Sequence, residues 1–175
     1  MSEQAIYGDA ACYGVKLINR SGNGALPVGE HDFAEAINRC VLVDKTMFIA
    51  DVLDAEASVV ACCRPEGFGK SMNLSMLKAF LERSTVGQVD RGLFAGSQIW
   101  DAGRERYRDE SACYPVISLD FSGAARRGAN VVGIVRDVLS GECARLLALL
   151  DAPDLPRDKM RHIERVARGV ASADE

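Results

Sequence analysis

The feature that most constrains the fold is the stretch 58–71, where a short apolar run stops at a glycine-bearing loop and a helical pattern follows. The run Val59–Cys63 is too short for a helix and is rich in small and β-branched residues, which is typical of a strand buried on both faces of a parallel sheet. Residues 72–82 repeat apolar side chains at helical spacing. The apolar face of that helix is predicted to contain Leu74, Leu77 and Leu81. The stretch therefore predicts a strand, a loop and a helix in that order.

The loop carries the residue types that bind phosphate groups. Backbone N–H groups at the start of a helix are fixed donors at the positive end of its dipole, so they attract a negatively charged triphosphate. Gly69 permits a close approach of the backbone, Lys70 would reach the β- and γ-phosphates, and the Ser71 hydroxyl would ligate Mg²⁺. Further backbone donors would come from Gly67 and Phe68. The loop therefore predicts a phosphate-binding site that would take a triphosphate with Mg²⁺.

The match to the phosphate-loop pattern G-x-x-x-x-G-K-[ST] is incomplete, because Arg64 stands at the position of the first glycine. Pro65 stiffens the turn, Glu66 puts a carboxylate where anions should dock, and Gly67 restores some backbone freedom. Arg64 would brace the loop or contact phosphate. The alternative interpretation is a surface turn followed by an ordinary helix. The strand pattern before the loop and the helix pattern after it favour the phosphate-binding interpretation, since the motif requires that context.

The size and charge of the chain limit its class. Its 175 residues suffice for one domain with a core and are too few for two of ordinary size. The net charge of -4 gives no general attraction to nucleic acid or to an anionic membrane, so neither is predicted as a partner. The sequence has no signal-peptide pattern and no uncharged apolar run of membrane-spanning length, which predicts a cytoplasmic protein.

The cysteines and histidines predict neither a disulfide framework nor a zinc site. No C-x-x-C pair occurs, and His31 and His162 lie far apart and not at metal-binding spacing. Buried, reduced thiols are therefore expected, as in a cytosolic protein. The six cysteines are Cys12, Cys40, Cys62, Cys63, Cys113 and Cys143.

The chain is predicted to consist of an irregular leader, residues 1–25, and one domain, residues 26–175. The leader mixes glycine, asparagine and serine, and it could equally hold a short strand at Tyr13–Ile18. At the start of the domain, Asp32 is a good cap residue for an amphipathic helix within 31–40.

A short polar segment separates this helix from the next one. The extended segment Val41–Asp44 precedes a helix over 47–54, for which Thr46 is the predicted cap. Asp44 and Lys45 lie between the two elements. They either form a polar pair at the edge of the nucleotide site or belong to a solvated loop, and spacing alone leaves both interpretations open.

A second buried-strand pattern, Tyr114–Ser122, ends near Asp120. Such an acid either sits beside Mg²⁺, as in a Walker B strand, or ends the strand for turn reasons. The segment 84–103 is loop-like, and helical patterns follow over 130–150 and 156–168. Two strands are too few for a complete doubly wound sheet of about five. The predicted fold class is therefore α/β, a P-loop NTPase-type parallel sheet flanked by helices and incomplete.

Seven blocks in one order, over residues 26–122, resemble a known family, the predicted AAA-ATPase-like P-loop proteins found widely in bacteria. An arginine at the position of Arg64 is usual in that family, and the resemblance implies ATP binding through the loop. Longer members carry a C-terminal nuclease-like domain of the PD-(D/E)xK type. The blocks are Leu26–Gly29 with Asp32–Phe33, Val43–Thr46, Arg64–Ser71, Asn73–Leu77 with Phe80–Glu82, Leu93–Gly96, Tyr114–Ile117 and Leu119–Ser122.

The chain departs from the family pattern in two respects. Family members normally have further arginines at the positions of Glu66 and Gly67, so this chain loses two positive charges and gains a negative one, which leaves its nucleotide affinity open. The resemblance also implies that the strand near Asp120 is not the Walker B strand, which would come later, and no such acidic segment occurs before Glu175. We therefore expect a domain truncated before Walker B, with weak or no ATP hydrolysis.

Two other functions are compatible with the same loop. A small-molecule kinase could use Asp120 as its Mg²⁺ or base residue, and its arginine-rich lid would have to come from Arg104, Arg106 and Arg108. A degenerate P-loop module could instead act as an interaction domain without catalysis. ATP binding that depends on Lys70 would distinguish an ATP-binding P-loop domain from such a degenerate module.

Overall fold

The computed structural model divides into two compact units, one formed by residues 1–82 and 89–114 and the other by residues 83–88 and 115–175. Its described elements are mixed α/β and mostly helical, which confirms the predicted class at that level. The residues that the structure describes are 15–22, 24–65, 67–83, 91–101, 103–125, 128, 130–149 and 156–170.

The first unit is built around one central helix. Helix α3 packs against both α1 and α2, and it leads directly out of the glycine-bearing loop. In chain order the described elements of this unit are β1 (Leu17–Asn19), α1 (Phe33–Arg39), β2 (Val41–Val43), α2 (Met47–Leu53), α3 (Lys70–Leu81), the 3-10 turns Arg91–Phe94 and Gln98–Trp100, and α4 (Glu105–Asp109).

Helix α1 begins where the sequence predicts it. The Asp32 carboxylate accepts a hydrogen bond from the Glu35 N–H at 2.9 Å, which satisfies one of the donors that every helix start leaves without an intrahelical partner. Phe33 and Ile37 are buried in the core of the unit, and Cys40 follows them there. The prediction of a capped amphipathic helix is confirmed.

Strands β1 and β2 form an antiparallel pair in which Ile18 lies opposite Leu42, and both side chains are buried. The predicted extended segment at 41–44 is confirmed. Strand β1 overlaps the end of the undecided strand at 13–18, and it lies within the stretch that the sequence predicted as an irregular leader; residues 13 and 14 fall outside the described part.

Helix α3 is confirmed, and Leu77 and Leu81 of its predicted apolar face are partly buried against the core, whereas the prediction is wrong for Leu74. Met76 and Phe80 are buried, whereas Leu74 is 58% exposed. The Phe80 ring meets the Phe94 ring edge-on, with 5.0 Å between centroids, and the Trp100 ring with 6.2 Å between centroids. Aromatic rings bury a large apolar area and prefer this edge-to-face geometry. Phe80, with its aromatic contacts, and Met76 therefore mark the inward face of α3.

The two predicted buried strands are wrong for the residues that the structure describes. Val59–Cys63 belongs to no strand, and Val59 is 80% exposed. In the segment 114–122 the one bridge is parallel and joins Tyr114 to Glu82. A buried strand needs neighbours that pair with its backbone N–H and C=O groups, because these groups cannot be left unpaired in a core. The predicted parallel sheet therefore does not appear in the described residues.

The second unit is helical in its described part. Helices α5 and α6 pack against each other and confirm the helical patterns predicted over 130–150 and 156–168. None of the helices in the described ranges combines the length and the apolar character that crossing a membrane requires. The elements of this unit are the 3-10 turn Ser122–Ala125, α5 (Val131–Leu149) and α6 (Arg157–Ala167).

A nearly buried carboxylate on α5 holds the segment that leads into this 3-10 turn. Glu142 is 8% exposed, and its Oε1 accepts a hydrogen bond from the Ser118 N–H at 2.7 Å. The Arg145 guanidinium donates to both oxygens of Glu142 and to the Val116 carbonyl at 2.6 Å. Because the charge of Glu142 is compensated by a guanidinium and an amide, it can be buried at acceptable cost.

The rate of alkylation should differ between the cysteine thiols according to their surroundings. Cys62 and Cys63 are exposed, contrary to their predicted burial in a strand, whereas partial burial and the nearby Glu142 carboxylate raise the pKa of the Cys143 thiol. Only the thiolate reacts, and a raised pKa lowers its fraction. We expect iodoacetamide at about pH 8 to modify Cys143 about tenfold more slowly than Cys62 and Cys63, measured by peptide mass spectrometry. The difference should disappear in denaturant, and equal rates in the folded protein would contradict it.

Candidate functional site

Two glycines shape the loop that precedes α3. Gly67 has φ +79° and Gly69 has φ +77°, in the left-handed region that residues with a Cβ rarely adopt. Gly69 is also the N-cap residue of α3. A Cβ added to Gly69 would meet the Lys45 Nζ at 3.7 Å, an ordinary contact. The backbone conformation, and not a shortage of space, therefore requires glycine at this position.

The amides of the loop point to no acceptor among the residues that the structure describes. The N–H groups of Gly67, Phe68, Gly69, Lys70 and Ser71 donate no hydrogen bond there, and α3 has no side-chain cap. The first amide with a backbone acceptor is that of Asn73, which donates to the Gly69 carbonyl at 2.9 Å. A run of successive amides at the positive end of a 12-residue helix is an anion-binding arrangement.

The side chain of Lys70 folds back over the loop. Its Nζ donates hydrogen bonds to the Arg64 carbonyl at 2.7 Å and to the Pro65 carbonyl at 2.9 Å. An ammonium group has three donors, so these two bonds fix its position and leave one for another acceptor. The positive charge of Lys70 therefore lies beside the start of the loop, and the loop amides lie at its end.

The other predicted residues of the site lie on its surface. Arg64 and Ser71 are exposed, and Phe68 is 59% exposed. Ser71 belongs to the first turn of α3, where its hydroxyl is accessible to a cation. Glu66, at which the chain departs from the family pattern, falls outside the described residues.

Lys45 is the functional candidate that the sequence left undecided, and the structure brings it to the loop. Its exposed side chain reaches from the link between β2 and α2, and its Nζ donates to the Phe68 carbonyl at 3.4 Å. This contact joins residues 23 positions apart in the sequence. Nothing in the local pattern around Lys45 specifies such a contact, because it depends on how α2 and α3 pack.

The neighbours of Lys45 form a buried polar network. Asp44 Oδ1 accepts hydrogen bonds from the Thr46 N–H at 2.9 Å and from the Thr46 hydroxyl at 2.6 Å, and Asp44 Oδ2 accepts one from the Gln98 N–H at 2.8 Å. The Thr46 hydroxyl oxygen accepts a further bond from the Ile99 N–H at 3.1 Å. Thr46 is the N-cap residue of α2, as predicted, but its side chain forms no capping hydrogen bond, because its hydroxyl is engaged by Asp44 and by the turn at 98–100.

Comparison with known proteins assigns the family. A family model described as "predicted AAA-ATPase", of the AAA-ATPase-like type, matches residues 27–152, which is more than half of the chain. This protein belongs to that AAA-ATPase-like family. The matched range includes the loop, α3 and Lys45, so every site residue described above belongs to the AAA-ATPase-like domain. The search of curated proteins and the search of solved structures found no match.

In this AAA-ATPase-like chain, Asp120 has a local structural role. Its Oδ1 accepts a hydrogen bond from the Ser122 N–H at 2.8 Å, two residues further on. This is the contact by which an aspartate stabilises its own turn, and it matches the turn interpretation of the sequence pattern. The contact gives no support to Asp120 as the metal or base residue of a kinase.

The three arginines that a kinase lid would need are engaged within the first unit. Arg104 donates to the Gln98 carbonyl, Arg106 donates to the Asp54 carboxylate, and Arg108 donates to the Asp101 carbonyl at 2.8 Å. The Arg108 guanidinium also lies over the Trp100 ring, 5.7 Å from its centroid. These contacts tie α4 to the turn at 98–100 and to the end of α2, which is a structural role.

Proposed function

We propose that this protein binds ATP together with Mg²⁺ at the loop formed by residues 64–71. The observation that carries the proposal is the run of loop amides without an acceptor in the described part, at the start of α3, beside the Lys70 ammonium. Membership of a family of predicted AAA-ATPases supports it independently of that geometry.

Each residue of the loop has a separate task in this proposal. The amides of Gly67, Phe68 and Gly69 donate to the phosphate oxygens, and the Lys70 ammonium neutralises charge on the β- and γ-phosphates. The Ser71 hydroxyl would hold Mg²⁺, and the cation would offset part of the phosphate charge that the protein must otherwise compensate. The donor set fits a magnesium nucleotide, because it combines amide and ammonium donors for the anion with a hydroxyl oxygen for the hard cation. Arg64, at the start of the loop, adds a positive charge.

The proposal concerns binding, and hydrolysis is a further requirement. ATP hydrolysis needs a carboxylate that holds Mg²⁺ and a group that orients the attacking water. Asp120 is the acid that the sequence pattern offers for this task, and it accepts a hydrogen bond from its own turn; the resemblance places the Walker B acid elsewhere. We therefore expect binding of ATP to be measurable without rapid turnover.

Replacing Lys70 by alanine tests the proposed function. We expect the full chain to bind Mg²⁺-ATP in isothermal titration calorimetry and the Lys70→Ala variant to bind it about 10- to 100-fold more weakly, because a charged hydrogen bond to phosphate is lost. Lys78→Ala is the matched control, since Lys78 lies on the same helix in its last turn. Titration in the presence of a chelator should also weaken binding.

The outcomes of this experiment are distinct. Loss of affinity in Lys70→Ala, with Lys78→Ala unchanged and both proteins equally stable to heat, would support a phosphate-binding loop. Absence of ATP binding by the unmodified chain, or equal binding by the chain and its Lys70→Ala variant, would refute it. The interpretation as a degenerate interaction module predicts equal binding by the chain and its Lys70→Ala variant.

A further inference from the structure

A second ammonium group lies at the loop, and it comes from another element of the fold. The Lys45 Nζ is 3.4 Å from the Phe68 carbonyl oxygen and 3.7 Å from the place where a Cβ on Gly69 would be. The Lys70 Nζ lies at the other end of the loop, on the carbonyls of Arg64 and Pro65. The loop therefore has a lysine charge near its first residues and another where it enters α3.

The backbone that carries Lys45 is held firmly on both sides. Thr46 is fully buried and Asp44 is 9% exposed, and hydrogen bonds join both to the turn at 98–100. The Asp44 N–H also donates to the Lys16 carbonyl, and the Lys45 carbonyl accepts from the Phe48 N–H at 2.9 Å. A lysine in an ordinary solvated loop would have a mobile backbone. Because the backbone is anchored here, the Lys45 ammonium stays close to the loop.

The charge of Lys45 is available to a ligand. The Asp44 carboxylate directs both of its oxygens to other donors, and within the described ranges no carboxylate forms an ion pair with Lys45. Within the described residues, the Lys45 ammonium donates one hydrogen bond, to the Phe68 carbonyl. Two of its three donors therefore remain for a ligand. A cation held beside successive backbone amides reinforces their attraction for an anion.

We propose that Lys45 is a second phosphate-binding residue of the nucleotide site, which recognises the polyphosphate jointly with Lys70. This inference rests on the proposed function, because it concerns the same ligand. Asp44 and Thr46 are positioning residues that hold Lys45 and do not touch the nucleotide. Since each added phosphate brings charge near both ammonium groups, Lys45 favours ATP over ADP and ADP over AMP.

A purely structural role for Lys45 gives a different expectation. A lysine that only supports the Phe68 carbonyl would shape the loop in the same way for every ligand. Its removal would then weaken ATP, ADP and AMP by the same factor. The dependence of the effect on the number of phosphates therefore separates a direct contact from support of the loop.

The test measures the affinities of the full chain and four variants for Mg²⁺-ATP, Mg²⁺-ADP and AMP by calorimetry at one fixed salt concentration. The variants are Lys45→Ala, Lys45→Arg, Lys70→Ala and Lys78→Ala. We expect Lys45→Ala to lose about tenfold in ATP affinity and clearly less in AMP affinity, and we expect Lys45→Arg to retain most of the affinity because it keeps the charge. Thermal unfolding without nucleotide should be the same for Lys45→Ala and the unmodified chain, because the Lys45 side chain is exposed.

The results separate this inference from the function on which it rests. If the unmodified chain binds no nucleotide, the proposed function fails and the inference with it. If Lys70→Ala weakens binding but Lys45→Ala binds ATP like the unmodified chain, the proposed function stands and the inference is refuted. An equal loss for all three nucleotides also refutes it, since Lys45 would then act only on the shape of the loop.

Discussion

Replacing Phe80 by alanine is expected to lower the free energy of unfolding of the first unit by about 3 to 5 kcal/mol. The Phe80 side chain is fully buried in the last turn of α3, and its ring contacts the rings of Phe94 and Trp100. The substitution removes these contacts and leaves a cavity that well-packed neighbours fill only in part. Urea denaturation followed by the fluorescence of Trp100, the single tryptophan of the chain, measures the change in this unit.

A second substitution on the same helix is the control for Phe80. Leu74 is 58% exposed although the sequence pattern places it on the apolar face, so Leu74→Ala should cost less than about 1 kcal/mol. If Leu74→Ala destabilises the unit as much as Phe80→Ala, the buried face of α3 has been assigned incorrectly.

Replacing Asp44 by alanine is expected to be nearly as destabilising, with a loss of about 3 to 5 kcal/mol. The variant would leave three donors without their acceptor, namely the Thr46 N–H, the Thr46 hydroxyl and the Gln98 N–H. A buried donor that loses its partner incurs the cost of desolvation without compensation. The same urea titration measures the effect, because the Asp44 network ends at the turn that carries Trp100.

The control for Asp44 is an aspartate whose partners lie at the surface. Asp54 pairs with the Arg106 guanidinium at 2.5 Å, but the two side chains are 45% and 68% exposed. An exposed ion pair of this kind contributes little to stability, so Asp54→Ala should leave the free energy of unfolding nearly unchanged. A loss for Asp44→Ala as small as that for Asp54→Ala would show that the Asp44 network does not stabilise the unit.

Local patterns predicted the helices well because a helix forms its hydrogen bonds within its own segment. The cap at Asp32 and the helices α1, α3 and α5 all follow from residues within four positions of one another. A strand has no such independence. The apolar runs at 59–63 and 114–122 have strand composition, but composition does not provide the neighbouring strand with which a strand must pair.

The same distinction explains how much of the candidate site could be predicted. The loop from Arg64 to Ser71 is contiguous, so its motif was readable in the sequence. The position of Lys45 was not, because it depends on contacts between α2 and α3. One local signal was present: Asp44 and Thr46 are two positions apart, the spacing at which an aspartate accepts from a following backbone N–H. That spacing is a local reason for the Thr46 hydroxyl to bond Asp44 and not the first turn of α2.

The side chains on either side of Lys45, those of Asp44 and Thr46, accept hydrogen bonds from Gln98 and Ile99, more than fifty positions away. A substitution in that distant turn would therefore shift an ammonium group beside the loop without touching any residue of the loop. Such a variant would bind nucleotide more weakly in an assay, although the substitution primarily affects folding. If binding mutants of this chain were identified without measuring their stability, residues that only support the fold would be counted as part of the binding surface.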